Sequence, residues 1–420
     1  MPTPIRSVTR HSLRRWVLPL LLLSGGVYLA GGSALAPAAA GLAAGTKPVL
    51  RVSVVGHGTV TSRPRGISCP GRCRARFARG TRIRLVPHPA VGWKLSRFAG
   101  ACSSTRACAV TLKRSASLRA TFGQKPPQLP SAGRIVATIH ISSAPHGLVY
   151  ASGAIWVGQH ESSTVARVDP GTNTVVARVS IPSGQPSRFA AGAEGLWHLP
   201  YSGSALYRID SATNRVVAEA APPGENCCIP AVGAGSVWVP KADDGIYRVD
   251  ASSGAVVAHI PIGNFLGSVF GFGSLWGTSG GDVVRLDPAT NSIASRIPVD
   301  GLSGADPWLG VGAGALWVGF GKKLARIDPS TNTVTALIAI PGTAFFLAAA
   351  DDAVWVVGQS HIGLYAYSKL WRIDPTANKV TAALTLPKGD PADIAVGAGS
   401  LWISLFSEDK LLRLQPAAAG

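Results

Sequence analysis

The chain has 420 residues, 46% apolar and 15% charged, with 49 Gly and 31 Pro. This mixture excludes long charged helices and suits many short strands joined by tight turns, around more than one core. The net charge of +19 is lopsided: Met1 to Lys125 holds 21 Lys and Arg and no Asp or Glu, whereas the remainder holds 19 bases against 21 acids.

At the N-terminus, Arg6, Arg10, Arg14 and Arg15 form a basic head. An apolar run from Trp16 to Ala30 follows, and then Ala34-Leu35-Ala36 at the spacing of a cleavage site. Residues 1–36 are therefore expected to be an export signal. The run falls short of the roughly 20 residues that a membrane span needs. An uncleaved anchor is the rival reading. Either way the rest of the chain is expected to be secreted or held at the cell surface, away from cytosolic nucleic acid. Residues 37–47 form an Ala/Gly-rich spacer.

A compact basic segment spans 48–123. Residues 124–133, with Pro126, Pro127 and Pro130, read as a semi-rigid linker. Arg72, Arg74, Arg76, Arg79, Arg82 and Arg84 alternate over a short span, which within a strand puts them on one face. A segment without a carboxylate is expected to attract polyanions; an anionic cell-wall polymer or a membrane surface suits an exported chain. The bland alternative is a solvated basic surface.

Cys69/Cys73 and Cys102/Cys108 are close pairs, and Cys227 and Cys228 are adjacent. Outside the cytosol such pairs point to disulfides. Zinc is the rival for the first four, although C-x3-C and C-x5-C are not the usual knuckle spacings. For Cys227 and Cys228 a vicinal disulfide is the expected state; free thiols and bridges between molecules are its rivals.

From residue 134 the sequence repeats. Trp156, Trp197, Trp238, Trp276, Trp317, Trp355 and Trp402 recur about every 41 residues. Each follows a turn and a small-plus-aliphatic pair, as in Gly153-Ala154-Ile155. A basic-aliphatic-acidic triplet comes about ten residues later, as in Arg167-Val168-Asp169, and then a turn such as Pro329-Ser330-Thr331-Asn332. A short alternating strand closes the unit. Four antiparallel strands in about 40 residues make one propeller blade. The expected fold is all-β: a seven-bladed β-propeller over 134–416, preceded by a small disulfide-bonded β-rich module. The seventh unit ends where its fourth strand should begin, and Arg134–Ile141 has the pattern of a fourth strand. That strand is expected to complete the last blade. Each Trp is expected between neighbouring blades, and each triplet Asp is expected to accept backbone bonds in its turn.

The signatures G-x-[VIL]-W-V and R-[VIL]-D-P-x-T-N resemble the YVTN/YncE-type, streptogramin-lyase-like propeller superfamily. That resemblance implies the fold. The W-F-T-E repeats and the close His…Glu-x-His set of streptogramin lyases are absent, so no catalytic residue is assigned. In 48–122, the stretches Gly56-x-Gly58-Thr59-Val60-Thr61, Gly66-Ile67-x-Cys69, Gly92-Trp93, Phe98-x-Gly100-x-Cys102 and Leu118-x-Ala120-x-Phe122 resemble a divergent internalin B-repeat-type bacterial module. This resemblance implies a small β-rich spacer or surface-binding unit.

One face of a propeller gathers the loops around its channel, and that face is the default ligand site. Its candidates are His146, His160, Glu161, Arg188, His198, Tyr201, Trp308, His361, Tyr365 and Tyr367, with Asn226, Lys241, Phe345 and Asp393 also in these loops. His198 stands where other repeats carry Val157, Val239 or Val318. The sixth repeat is lengthened, and its extra residues include His361, Tyr365 and Tyr367. No P-loop, G-x-S-x-G elbow or H-E-x-x-H occurs, and no metal or cofactor is expected. The expected function is non-enzymatic binding by a monomer, its propeller face taking a protein, glycan or small ligand. The alternative is an extracellular propeller enzyme, a C–O lyase similar to streptogramin lyases.

Overall fold

The computed structural model describes residues 46–125, 129–241, 244–359 and 368–417. The expected export signal 1–36, spacer residues 37–45, Pro126 and Pro127, and the insertion bearing His361, Tyr365 and Tyr367 lie outside the described residues. Contacts divide the chain into two compact units, Met1–Pro126 and Pro127–Gly420.

The first unit holds two four-stranded sheets. One orders Arg74–Arg76, Val49–Val55, Ala116–Gln124 and Trp93–Gly100. The other orders Ser68–Cys69, Gly58–Arg63, Thr81–Pro89 and Cys108–Leu112. Val49–Val55 and Ala116–Gln124 run parallel. Alternation sends Leu50, Val52, Ile83, Leu85, Leu118 and Ala120 into a common core and leaves the intervening residues outside. Disulfides join Cys69 to Cys73 and Cys102 to Cys108.

The arginine run does not lie on one strand. Arg74 and Arg76 are on the edge strand of the first sheet, and Arg82 and Arg84 on a strand of the second. Phe77, buried in the core, interrupts the alternation. Arg79 sits in the turn, where Gly80 takes a positive φ of 86°. All six side chains, Arg72 included, are nonetheless exposed.

The second unit contains seven four-stranded antiparallel sheets. Six are built from four consecutive strands. The seventh combines Pro391–Gly397, Ser400–Leu405 and Lys410–Pro416 with Gly133–His140 from the start of the unit. The first strands of successive sheets touch one another, and Pro145–Ala151 of the first sheet touches Pro391–Gly397 of the last. These contacts are consistent with a β-propeller.

The repeated residues explain how the sheets adhere. Trp156, Trp238, Trp276, Trp317 and Trp402 are 0% exposed. Trp156 packs with Phe189, Leu196 and Tyr207 of the second sheet, and Trp402 packs with Ile155 and Val157 of the first. An indole burying roughly 150–250 Å² at about 25 cal/mol per Å² contributes at most about 4–6 kcal/mol. Each triplet Asp accepts turn N–H groups, as Asp169 does from Gly171 at 2.9 Å.

Four of the triplet arginines, Arg167, Arg248, Arg285 and Arg413, lie over their own Trp and reach the following sheet. Arg167 Nη1 donates to Asn214 Oδ1, Arg248 to Asn291 and Arg285 to Asn332, at 2.9–3.0 Å. Arg413 of the last sheet donates to Asn173 of the first, also at 2.9 Å. These asparagines have φ of 53–58°, a conformation that Asn tolerates better than most residues.

Candidate functional site

The first strands of neighbouring sheets touch one another in a closed series, and their starts, termed the mouth, meet, as Gly147 does Ser187 and Leu148 does Asp393. Five of them bulge there, near His146, Ser187, Gly267, Phe345 and Ala392. A bulge turns the strand locally and re-aims a side chain. At the first of these, a Cβ on Gly147 would lie 1.7 Å from the Ser187 carbonyl oxygen. Only glycine lets the first and second sheets approach so closely.

The mouth has a polar side. The His146 and His160 rings lie 5.5 Å apart, and His160 meets Tyr201 edge-on at 5.7 Å. Phe406 packs against both imidazoles. The Arg188 guanidinium lies over the Tyr201 ring at 5.1 Å. Burial holds His146 and His160 below the ordinary histidine value, with the Arg188 charge adding to the effect. Both imidazoles are therefore neutral at neutral pH. Glu161 is exposed beside His160 and opposes this shift.

His146 Nδ1 is 3.2 Å from Ser187 Oγ. This does not make a usable nucleophile, because Ser187 is only 1% exposed. Asp393 is spent on the wall: its carboxylate accepts the Leu148 and Ile394 N–H groups at 2.9 and 2.8 Å. Burial pushes that carboxyl up to about 7. His198 is 0% exposed and belongs behind the mouth, beneath Phe189. Its Nδ1 lies 3.1 Å from the Arg188 carbonyl oxygen and must carry the proton there.

Beside the polar side is a cavity of about 630 Å³. Its walls include Arg188, Leu266, Trp308, Phe345, Phe346 and the disulfide-bonded pair Cys227–Cys228. Trp308 and Phe346 meet edge to face at 4.5 Å. The loop bearing the disulfide is held by the buried Lys241, whose Nζ donates to Asn226 Oδ1 at 2.7 Å and to the Gly224 carbonyl at 2.9 Å. Lys241 thus braces the cavity wall and does not line it. The structure gathers His146, His160, Arg188, Tyr201 and Trp308 at this mouth. Leu266, Phe346 and Pro391 also line it, although no sequence signal singled them out. Among the described residues, no group of three or more His, Cys, Asp or Glu is placed to hold a metal ion.

No protein-family model matches the chain, and no curated protein matches it. Among solved structures, it is similar to hydrazine synthase of Kuenenia stuttgartiensis, with a TM-score of 0.55 at 10% identity. The match covers 66% of this chain and 97% of that one. That protein contains a β-propeller. At this identity the likeness speaks to the fold alone, and it supports a β-propeller-like, all-β architecture without placing the chain in a family.

Proposed function

We propose that this chain is an exported, non-enzymatic binding protein with two working surfaces. Its seven sheets are the blades of a seven-bladed propeller of YVTN/YncE type, whose channel mouth takes a ligand. Its basic module docks on anionic cell-wall polymer or an anionic membrane surface.

The observation that carries this reading is the outer face of one module sheet. Arg51 and Arg74 are directly opposed across two strands. Arg76, Arg119, Arg97 and Lys94 are exposed on the same sheet. Like charges placed opposite one another are destabilising. Between residues 48 and 125 there are sixteen Lys and Arg and no carboxylate to relieve them. A polyanion relieves that repulsion, and its counterions are released on binding. Arg82 and Arg84 border a second recess, on the other sheet.

The full chain is expected to be retained on glycerol-phosphate wall polymer and on anionic vesicles at low salt, and released at about 0.5 M salt, where exposed charges are screened. Replacing Arg51, Arg74, Arg76 and Arg119 with Gln is expected to weaken retention at least about tenfold, at a few tenths to 1 kcal/mol per exposed ion pair. Retention that ignores both salt and these substitutions overturns electrostatic docking.

The second reading, a lyase-like enzyme, draws on the His146–His160 pair, because a neutral imidazole can accept a substrate proton. It is tested by turnover of a cyclic depsipeptide. The binding reading expects none. Turnover abolished by either His146→Ala or His160→Ala establishes the enzyme instead.

A further inference from the structure

The channel cavity joins an unneutralised cation to an aromatic wall, and the two together specify a ligand. Arg188 is the one cation among the described residues lining it. The Arg188 Nη1 atom is buried, and among the described residues it has no hydrogen-bond partner. Among the described residues the guanidinium lies over the Tyr201 ring, which orients it without neutralising it. No hydrogen bond or ion pair to the Arg188 guanidinium occurs among the described residues, so the charge that lines the cavity is left for a ligand to balance. Asp306 also borders the cavity, but it is exposed and is not paired with Arg188.

Leu266, Trp308, Phe345 and Phe346 give the cavity an apolar lining, with the Cys227–Cys228 disulfide beside them. A volume of about 630 Å³ falls among those of small-molecule sites. Resting on the reading of this mouth as a binding face, we infer that the cavity takes a small aromatic monocarboxylate, its carboxylate on the Arg188 fork and its ring against Trp308 and Phe346.

The charge and the geometry limit the class. A guanidinium matches a carboxylate with two parallel hydrogen bonds. One cation beside two neutral imidazoles balances a single negative charge and leaves a phosphate dianion uncompensated. Apart from Arg188, Asp306 and Thr343, the described side chains lining the cavity are apolar or aromatic, with the Cys227–Cys228 disulfide among them. They suit stacking and edge-on contact with an aryl ring.

Ligand-observed NMR titration of the full chain with indole-3-acetate and 4-phenylbutyrate, each against its neutral amide, tests the inference. The acids are expected to bind about tenfold to a hundredfold more tightly than the amides. Arg188→Gln should erase that difference at an unchanged melting temperature. Trp308→Ala should weaken acid and amide alike. Equal binding of acid and amide, untouched by Arg188→Gln, overturns the carboxylate assignment and leaves the mouth a binding face. Binding of no probe overturns the inference together with the mouth, and the polymer-retention result stands apart from both.

Discussion

A chain lacking residues 134–141 is expected to lose the cooperative unfolding transition of its C-terminal unit. The strand Gly133–His140 pairs along Lys410–Pro416 and supplies the fourth strand of the last sheet. Ile139 and Ile141, 7% and 0% exposed, pack with Leu148, Ile155, Trp402 and Leu411, so they join the last sheet to the first. Losing two buried aliphatic side chains costs about 2–5 kcal/mol each. The broken ladder adds about 1 kcal/mol per hydrogen bond. The total is on the order of the 5–15 kcal/mol that holds a domain folded. The deletion also bares the edge of Lys410–Pro416, and an unpaired edge invites association between chains. Thermal unfolding followed by near-ultraviolet circular dichroism checks this. An unchanged melting temperature in the shortened chain would refute the closure.

The closure has a second clasp, Arg413 to Asn173, and this one was invisible in the sequence. The spacing of Trp and of the Arg-aliphatic-Asp triplet announced four-stranded units, because burial and turn chemistry act over a few residues and print a local pattern. The work of the triplet Arg did not. Arg167 meets Asn214 across 47 residues and Arg413 meets Asn173 across 240, so their partnership exists only once the sheets stand side by side.

The site was legible in the same uneven way. His146, His160, Arg188 and Tyr201 stood out as residues that break the repeat. Their meeting at one mouth depends on bulges at the strand starts, and a bulge leaves no fixed mark on a sequence. In the basic module the arginine run was plain, but its alternation did not fix its strands. Buried Phe77 and the turn at Gly80 divide it between two sheets, while a parallel pairing brings in Arg119, far along the chain.

His198→Val is expected to change the response of stability to acid. His198 is fully buried, and its Nε2 has no partner among the described residues. Burial lowers its pKa to about 3, and no charged side chain contributes. In the unfolded chain the same imidazole titrates near its ordinary value of about 6.5. Below that pH the unfolded chain takes up a proton that the folded chain refuses until about 3. Stability present above about 6.5 is therefore lost as pH falls, at about 1.4 kcal/mol per unit, or about 3 kcal/mol by pH 4.5.

Asp393 works in the opposite sense. Its carboxyl is raised to about 7, so its contribution is full below about 4 and declines as pH rises towards 7. The two slopes offset each other across the mildly acid range. Replacing His198 with Val, the residue found at the matching positions 157, 239 and 318, removes one slope and exposes the other. The variant is expected to gain stability between pH 7 and 4.5 relative to the parent, by about 3 kcal/mol in urea unfolding. Asp393→Asn is expected to shift the balance the other way and make the protein more acid-sensitive. Parallel pH profiles for the parent and His198→Val would mean that His198 takes up its proton in the folded ring as readily as in water, and that its burial carries no electrostatic cost.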